Sequence, residues 1–300
     1  MHFPARVPAL RRAANPRKVP IKAVARSLSL PLHEIRSFDN WETERTELQT
    51  DYDLIVAVSF GLFIPARLIA ALPYGGLNVH PSLLPRYRGA APLHHTLLNH
   101  DAETGVTIQT LHPKRFDRGD ILLQTNPPVP VPARTSFRSL HDLLAARGAE
   151  MLVETIRQGL FVPPLAPIAS PYAPSLASKV GSGEEHVVWD SWTADEMMLR
   201  AEMLGSVWTQ LGDEGDGLER LGVMKRAILS GIERMKADPQ LDIPVGAFRY
   251  MKLNGEEIMV LRTKDWWVTV GSVKMESKKD VPANTWIRSL QNRGVGRKFF

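Results

Sequence analysis

Two polar side chains stand two positions apart in an extended stretch of the sequence. Asn78 and His80 alternate with the apolar residues Leu77 and Val79, so on a β-strand both polar side chains point to the same face. An amide that donates hydrogen bonds and an imidazole that carries a proton suit the stabilisation of a negative oxygen. The pair alone is weak evidence, because a buried structural histidine shows the same pattern.

The elements around these two residues predict an α/β domain. The continuous apolar run at 53–60 predicts a strand buried on both faces, and 65–72 predicts a helix with proline in its first turn. Strand, helix and strand in this order form a right-handed βαβ unit, and ligands bind at the carboxyl ends of such strands. An alternating strand is predicted at 105–111 and an amphipathic helix at 135–158.

The stretch 76–92 resembles the signature of the 10-formyltetrahydrofolate-dependent formyltransferases. It contains Asn-Val-His-Pro-Ser-Leu-Leu-Pro followed by Arg-Tyr-Arg-Gly-Ala-Ala-Pro, and the family pattern is Asn-x-His-x-Ser-Leu-Leu-Pro followed by Arg-Gly. The Arg-Gly-Ala-Ala-Pro end of the stretch is most similar to the methionyl-tRNA formyltransferase branch. The sequence of the stretch is most like that of fungal mitochondrial members. The resemblance implies a Rossmann-like formyltransferase domain with a mostly parallel sheet, and a small C-terminal β-barrel that is oligonucleotide-binding-like.

The resemblance implies that Asn78, His80 and Asp117 are catalytic. Asp117 opens the Asp-x-Gly-Asp sequence at 117–120, which matches the family's Asp-x-Gly turn, although such a turn by itself is usually structural. Asn78 and His80 would donate hydrogen bonds to the negative oxygen that forms when an amine attacks the formyl carbon. Asp117 would hold the imidazole, favour its charged form and relay a proton through water to the leaving nitrogen.

The resemblance also implies 10-formyltetrahydrofolate as co-substrate and methionyl initiator tRNA as partner. We expect the folate pocket to be lined by Ser82, Leu83, Leu84, Pro85, Phe60 and Gly61. The candidate tRNA contacts are Arg11, Arg12, Arg17, Lys18, Arg86, Arg88, Lys278 and Lys279. Spacing leaves two assignments open for Arg86 and Arg88, the tRNA phosphates and the folate glutamate. No metal is expected, because the departing nitrogen already activates the formyl group.

Proline distribution divides the chain of 300 residues into three predicted parts. The resemblance implies that residues 1–160 are the formyltransferase domain, partial at its N-terminus, and that 184–300 are the tRNA-binding β-barrel, with the proline-rich linker 161–183 between them. Within the last part, Thr193 and Glu196 are spaced as a helix capping box, and Asn254-Gly255 indicates a hairpin.

Composition adds weaker limits. The net charge of +5 and the pI near 9.5 permit a polyanionic partner without proving one. The chain contains no cysteine, which excludes disulfides and thiolate chemistry. No apolar run approaches the roughly 20 residues of a membrane span. We expect a monomer without membrane association, located in the mitochondrial matrix, with the cytoplasm as the alternative.

The first 33 residues are basic and contain no acidic side chain. They read either as an organelle presequence or as the family's basic loop that contacts the tRNA acceptor stem, followed by a helix at 19–27 and a short strand at 31–35. In the second interpretation the family's first strand, helix and second strand are missing from the chain. We therefore expect a truncated sequence, or a protein that is unstable or inactive as written.

Two other functions stay open. The same folate chemistry could act on a small amine such as an amino-sugar nucleotide, or merely hydrolyse the formyl group, although the basic stretch at 6–22 favours RNA. The other is a non-catalytic RNA-binding remnant, which the missing first strand motivates.

Overall fold

The computed structural model describes residues 20–38, 52–181, 183–213, 225–291 and 297–299. The chain divides into two compact units, 1–46 and 47–300. In the first unit the described residues form one helix, α1, at Pro20–Ser27, which confirms the helix predicted at 19–27. The strand predicted at 31–35 is wrong, since these residues form no strand. A short apolar run next to a proline does not make a strand without a partner to pair with.

A four-stranded sheet carries the Asn-x-His motif in the second unit. The elements of this part are β1 Ile55–Val58, α2 Ala66–Ala70, β2 Gly76–His80, α3 Pro92–Leu98, β3 Glu103–Thr104, β4 Thr107–Thr110, β5 Ile121–Gln124, β6 Val129–Pro130 and α4 Phe137–Arg157. The strand order is β1-β2-β4-β5, and the remaining strands β3 and β6 pair with each other.

The strand directions differ from the expectation. β1 and β2 pair in parallel around α2, as the predicted βαβ unit requires, but β2 with β4 and β4 with β5 pair antiparallel. The mostly parallel sheet is therefore not what the described strands form. The loop at 111–120 explains one reversal, because it is too short for the crossover of a dozen or more residues that parallel neighbours need.

Helix α4 covers one face of this sheet. Ser136 begins the helix, its hydroxyl accepting a hydrogen bond from the Ser139 backbone at 3.1 Å, and Leu140, Leu144 and Met151 form the buried face. These side chains pack with Leu77, Val106 and Ile108 of the sheet. The apolar residues of β2 therefore pack against α4 on one face of the sheet, and this packing fixes the position of the polar residues on the other face.

The predicted linker supports the motif loop. Residues 161–181 form no helix or strand, yet the Arg88 amide donates to the Ser175 carbonyl at 3.0 Å and the Ala177 amide to the Arg88 carbonyl at 2.7 Å. The Ala91 amide donates in turn to the Ala177 carbonyl at 3.1 Å. This proline-rich stretch thus forms part of the frame that holds the motif in place.

The C-terminal part forms an antiparallel β domain. Its elements are α5 Ala194–Leu204, β7 Val207–Asp213, β8 Lys225–Arg234, β9 Phe248–Leu253, β10 Glu256–Arg262, β11 Trp267–Met275, β12 Val281–Pro282, α6 Ala283–Gln291 and β13 Arg297–Phe299. The strand order is β13-β7-β8-β11-β10-β9, with β12 paired to β11. The end strands β13 and β9 contact each other, so the sheet curves into a barrel-like shape.

Local signals in this domain are confirmed. The Thr193 hydroxyl accepts from the Glu196 backbone at 3.2 Å and begins α5, which is one half of the predicted capping box. The Glu196 carboxylate pairs with Arg200 instead. Asn254 and Gly255, with φ of 52° and 86°, turn the chain from β9 into β10, because this hairpin turn needs two residues with positive φ. Among the described helices, none is long and apolar enough to cross a membrane.

Candidate active site

Asn78, His80 and Asp117 meet where β2 ends. The Asn78 amide donates to Asp117 Oδ1 at 3.1 Å, and His80 Nδ1 lies 3.4 Å from the same oxygen. The side chains of His80 and Asp117 are 6% and 8% exposed. The structure therefore brings the three residues predicted to be catalytic into one buried cluster.

Asp117 reaches the cluster from the loop between β4 and β5. Its φ of 51° is left-handed, a conformation that Asp and Asn adopt more readily than most residues. The loop is tied to the motif, because Arg88 Nε donates to the Asp117 carbonyl at 2.8 Å and the Gly89 amide to Asp117 Oδ2 at 2.9 Å. A Cβ on Gly119 would lie 1.7 Å from the Thr110 carbonyl oxygen, so the close approach of this loop to β4 requires glycine.

Gln109 is a member of the cluster that the sequence analysis missed. It lies opposite Asn78 in the β2–β4 register, is 1% exposed, and donates from Nε2 to Asp117 Oδ1 at 3.1 Å. Its Oε1 is buried and has no hydrogen-bond partner among the described residues. A polar residue inside a strand next to the motif was a signal, but only the strand pairing shows which side chain it faces.

The two nitrogens of His80 face different acceptors. Nε2 lies 2.8 Å from the Tyr87 carbonyl oxygen, which only accepts, so Nε2 carries a proton. Nδ1 faces Asp117, and a second proton there would turn the contact into an ion pair. Because both nitrogens face protein acceptors, His80 is placed to exchange a proton with Asp117 rather than to point a free donor into solvent.

A cavity of about 460 Å³ opens beside the cluster. Phe60 and Gly61 line it, as expected, together with Asn78, His80 and Asp117. Its apolar side includes three partly exposed phenylalanines, Phe60, Phe63 and Phe116. The rings of Phe63 and Phe116 meet edge to face at 5.1 Å between centroids. The cavity therefore offers an aromatic wall opposite a polar edge.

The other predicted folate contacts lie elsewhere. Ser82, Leu83 and Leu84 are at most 1% exposed, and these residues and Pro85 are not among those that line the cavity. The Leu84 amide donates to Thr107 Oγ1 at 3.1 Å, and Gln124 Nε2 donates to the Leu84 carbonyl at 2.9 Å. The apolar side chains turn inward because burial removes them from water, so this segment is a scaffold for the motif.

The predicted tRNA contacts separate into three groups. Arg86 donates to the Glu103 carbonyl at 2.8 Å and stacks over the Tyr172 ring at 5.0 Å, which makes it a structural residue away from the cavity. Arg88 lies against the Asp117 loop. Lys278 and Lys279 are exposed in the turn after β11. Four further candidates lie outside the described residues: Arg11, Arg12, Arg17 and Lys18.

Residues 8–156 match the family model described as "Formyl transferase". These residues, just under half of the chain, are a formyltransferase domain of that family. Within the described ranges, no group of three or more His, Asp or Glu side chains could hold a metal ion.

Curated relatives agree with the family. The chain is 32% identical over 274 residues to a mitochondrial methionyl-tRNA formyltransferase of Homo sapiens, covering 87% of this chain and 64% of that protein. It is 41% identical over 177 residues to a protein of the same name from Saccharomyces cerevisiae, covering 51% and 43%. A putative methionyl-tRNA formyltransferase of Schizosaccharomyces pombe is 28% identical over 295 residues, covering 89% and 81%. The chain thus spans 64% of the length of the human relative.

Solved structures support the fold. HypX from Aquifex aeolicus in complex with tetrahydrofolic acid superposes with a TM-score of 0.55 at 16% identity, covering 80% of this chain and 39% of that chain. A variant of HypX gives a TM-score of 0.60 at 17% identity, covering 86% and 44%. This similarity supports a Rossmann-like α/β fold for the formyltransferase domain.

Proposed function

We propose that this protein transfers a formyl group from 10-formyltetrahydrofolate to the amino group of methionyl initiator tRNA, and so serves translation initiation in the mitochondrial matrix. The observation that carries the proposal is the buried cluster of Asn78, His80 and Asp117 beside an open cavity. The names of the human and yeast relatives, both mitochondrial methionyl-tRNA formyltransferases, support the acceptor and the compartment.

The cavity suits a folate. Its volume of about 460 Å³ falls within the roughly 300–1,000 Å³ of small-molecule sites. The three phenylalanines on its apolar side can contact a flat ring, and the polar edge can bind the groups at its end. When bound, 10-formyltetrahydrofolate would supply the formyl carbon and a nitrogen that leaves. The residues present therefore fit this co-substrate.

Asn78 is the group best placed to stabilise a negative oxygen in the cavity. A side-chain amide has two N–H donors, and one of them is committed to Asp117. The second remains for a ligand, while Asp117 and the strand hold the amide in one orientation. A donor fixed in this way costs no reorganisation when charge develops.

The pair of His80 and Asp117 is suited to receive the proton that an attacking amine releases. Nδ1 of His80 faces the carboxylate at 3.4 Å, while the contact of Nε2 with the Tyr87 carbonyl fixes the ring. The Asp117 carboxylate can accept a hydrogen bond from a proton on Nδ1. From there the proton can pass through water to the leaving nitrogen.

The tRNA would extend over other parts of the chain. We propose that 184–300 is an oligonucleotide-binding-like barrel with Lys278 and Lys279 as phosphate contacts, that 161–183 connects it to the formyltransferase domain at 1–160, and that the protein acts as a monomer. The two lysines follow Ser277, whose φ is 61°, in an exposed turn that leaves both cations accessible.

The test is formyl transfer to methionyl initiator tRNA by the purified protein, with formylmethionine quantified by mass spectrometry. Asn78→Ala should lower kcat/KM by on the order of 10²–10³, because it removes one oxyanion donor. Gln158→Ala, which removes an exposed amide outside the cavity, is the matched control and should act like the wild type. Formate release without an acceptor, or transfer to small amines in preference to tRNA, would refute the proposed acceptor.

A further inference from the structure

Three arginines, here called the arginine rim, gather beside the cavity: Arg88, Arg115 and Arg118. Arg115 lines the cavity, Arg118 directly follows Asp117, and Arg88 is tied to the same loop through the Asp117 carbonyl at 2.8 Å. Within the part of the chain that the structure describes, the side chains of Arg115 and Arg118 form no ion pair or hydrogen bond. Both are exposed, so their charges face the solvent at the entrance to the site.

The arginine rim holds three positive charges close together. Burial lowers the pKa of Arg88, and the charges of Arg118 and Arg115 lower it further, while Asp117 opposes them. The Asp117 carboxylate already accepts hydrogen bonds from Asn78, Gln109 and the Gly89 amide. Repulsion among three guanidinium groups is relieved by an incoming anion, and such a surface raises the local concentration of anionic ligands.

We propose that the arginine rim binds backbone phosphates at the acceptor end of the RNA substrate and so selects a polynucleotide-linked amine over a small one. This inference rests on the proposed function. A planar guanidinium matches the geometry of phosphate oxygens with two parallel hydrogen bonds. Exposed cations along one loop can contact successive phosphodiesters of the RNA. These phosphates enter the site together with the amine, which must reach the formyl carbon next to Asn78.

The test compares two acceptors that carry the same amine. Methionyl-tRNA has the phosphates of the acceptor end, and methionyl-adenosine has none. The variant is Arg115→Gln with Arg118→Gln, which removes two charges whose side chains form no ion pair or hydrogen bond within the described fold. Arg138→Gln with Arg157→Gln on α4, which removes two exposed arginines outside the cavity, is the control for net charge.

The double variant should raise the KM for methionyl-tRNA by about tenfold and leave kcat nearly unchanged, because groups that bind phosphates position the substrate without touching the reacting atoms. The KM for methionyl-adenosine should rise much less than the KM for methionyl-tRNA, because this acceptor brings no phosphates to the rim. The slope of log affinity against log salt for an acceptor-stem RNA hairpin, measured by fluorescence anisotropy, should become shallower by about 2, because each arginine that no longer binds a phosphate reduces the slope by roughly one unit.

Three results would overturn the inference. One is an unchanged KM for methionyl-tRNA together with an unchanged salt slope. Another is an equal loss of activity with methionyl-adenosine, which would show a role in catalysis. The third is a loss that appears with polyglutamyl folate and vanishes with monoglutamyl folate, which would assign the rim to the folate tail. If the wild type formylates neither acceptor, the proposed function fails, and hairpin binding still decides whether the rim contacts RNA.

Discussion

Two loops meet at the candidate active site, and they differ in where their side chains go. The motif loop, 81–92, buries Ser82, Leu83 and Leu84 and is hydrogen-bonded to β4, β5 and the linker. The acid loop, 111–120, leaves most of its side chains exposed and turns one carboxylate, that of Asp117, into the cluster. The motif loop is structural. The acid loop carries the Asp117 carboxylate and the nearby cations Arg115 and Arg118.

The comparison shows that the residues by which a motif is recognised need not be the residues that take part in the reaction. The Ser-Leu-Leu-Pro segment identifies the family, yet it stabilises the fold through burial and backbone contacts. The acid loop has a short signature but carries a group that can act on a ligand. Substitution of the buried side chains of the motif loop should therefore change stability, and substitution of Asp117 in the acid loop should change activity.

The largest effect is expected from Asp117→Asn. The substitution keeps the size of the side chain and a residue type that tolerates the φ of 51°, but removes the charge that faces His80. We expect kcat/KM to fall by on the order of 10³. The unfolding midpoint should also fall, because both carboxylate oxygens accept hydrogen bonds and the NH2 group of Asn would face an N–H donor. Asp120→Asn, in the same loop and with no side-chain hydrogen bond among the described residues, is the control. An equal loss of activity in both variants would mean that loop structure, not the carboxylate, is responsible.

In the motif loop, Leu83→Ala should lower the stability of the protein. Leu83 is fully buried, and the absence of a side chain at Gly105 leaves room for it, since a Cβ there would lie 2.6 Å from Leu83 Cδ2. Truncation should lower the free energy of unfolding by roughly 2–5 kcal/mol, measured by urea denaturation. The kcat of the folded fraction should stay within a few-fold of the wild type, and Leu143→Ala at an exposed position should do little to either quantity. A large fall in kcat at full folding would give the motif loop a direct part in the chemistry.

The smallest effect on kcat is expected from a comparison of Gln109 and Gln124, two glutamines on the neighbouring strands β4 and β5. Gln109 donates to Asp117, whereas Gln124 donates to the Leu84 carbonyl and to Thr107 Oγ1. Gln109→Met should lower kcat by about tenfold with little change in KM, because the carboxylate loses one of the hydrogen bonds that orient it, each worth about 1–2 kcal/mol. Gln124→Met should instead lower the unfolding midpoint and leave kcat near the wild type. If the two variants behaved alike, the distinction between frame and functional loop would fail.

Much of the fold was readable from the sequence, and the reasons are local. The strand at 105–111 and the helix at 135–158 follow from side-chain periodicity, and the elements that begin at Thr193 and turn at Asn254 follow from capping and turn chemistry. The apolar run at 53–60 does contain a strand, but its predicted burial on both faces is wrong, since Val56 and Val58 are 42% and 51% exposed. Strand direction was not readable, because alternation reports which face is buried and says nothing about which strand lies alongside. The same limit hid Gln109, whose function depends on a partner in the β2–β4 register.

The sequence by itself determined the family, the identity of Asn78, His80 and Asp117, and the expectation that an amide, an imidazole and a carboxylate act together. Residue types and their order carry that information, since chemistry is a property of side chains. The tertiary structure alone decided that Leu83 and Leu84 face the core, that Arg86 is structural while Arg88 joins the Asp117 loop, and that Gln109 completes the cluster. Those outcomes depend on which surfaces meet after burial and strand pairing, and positions distant in the chain set them jointly.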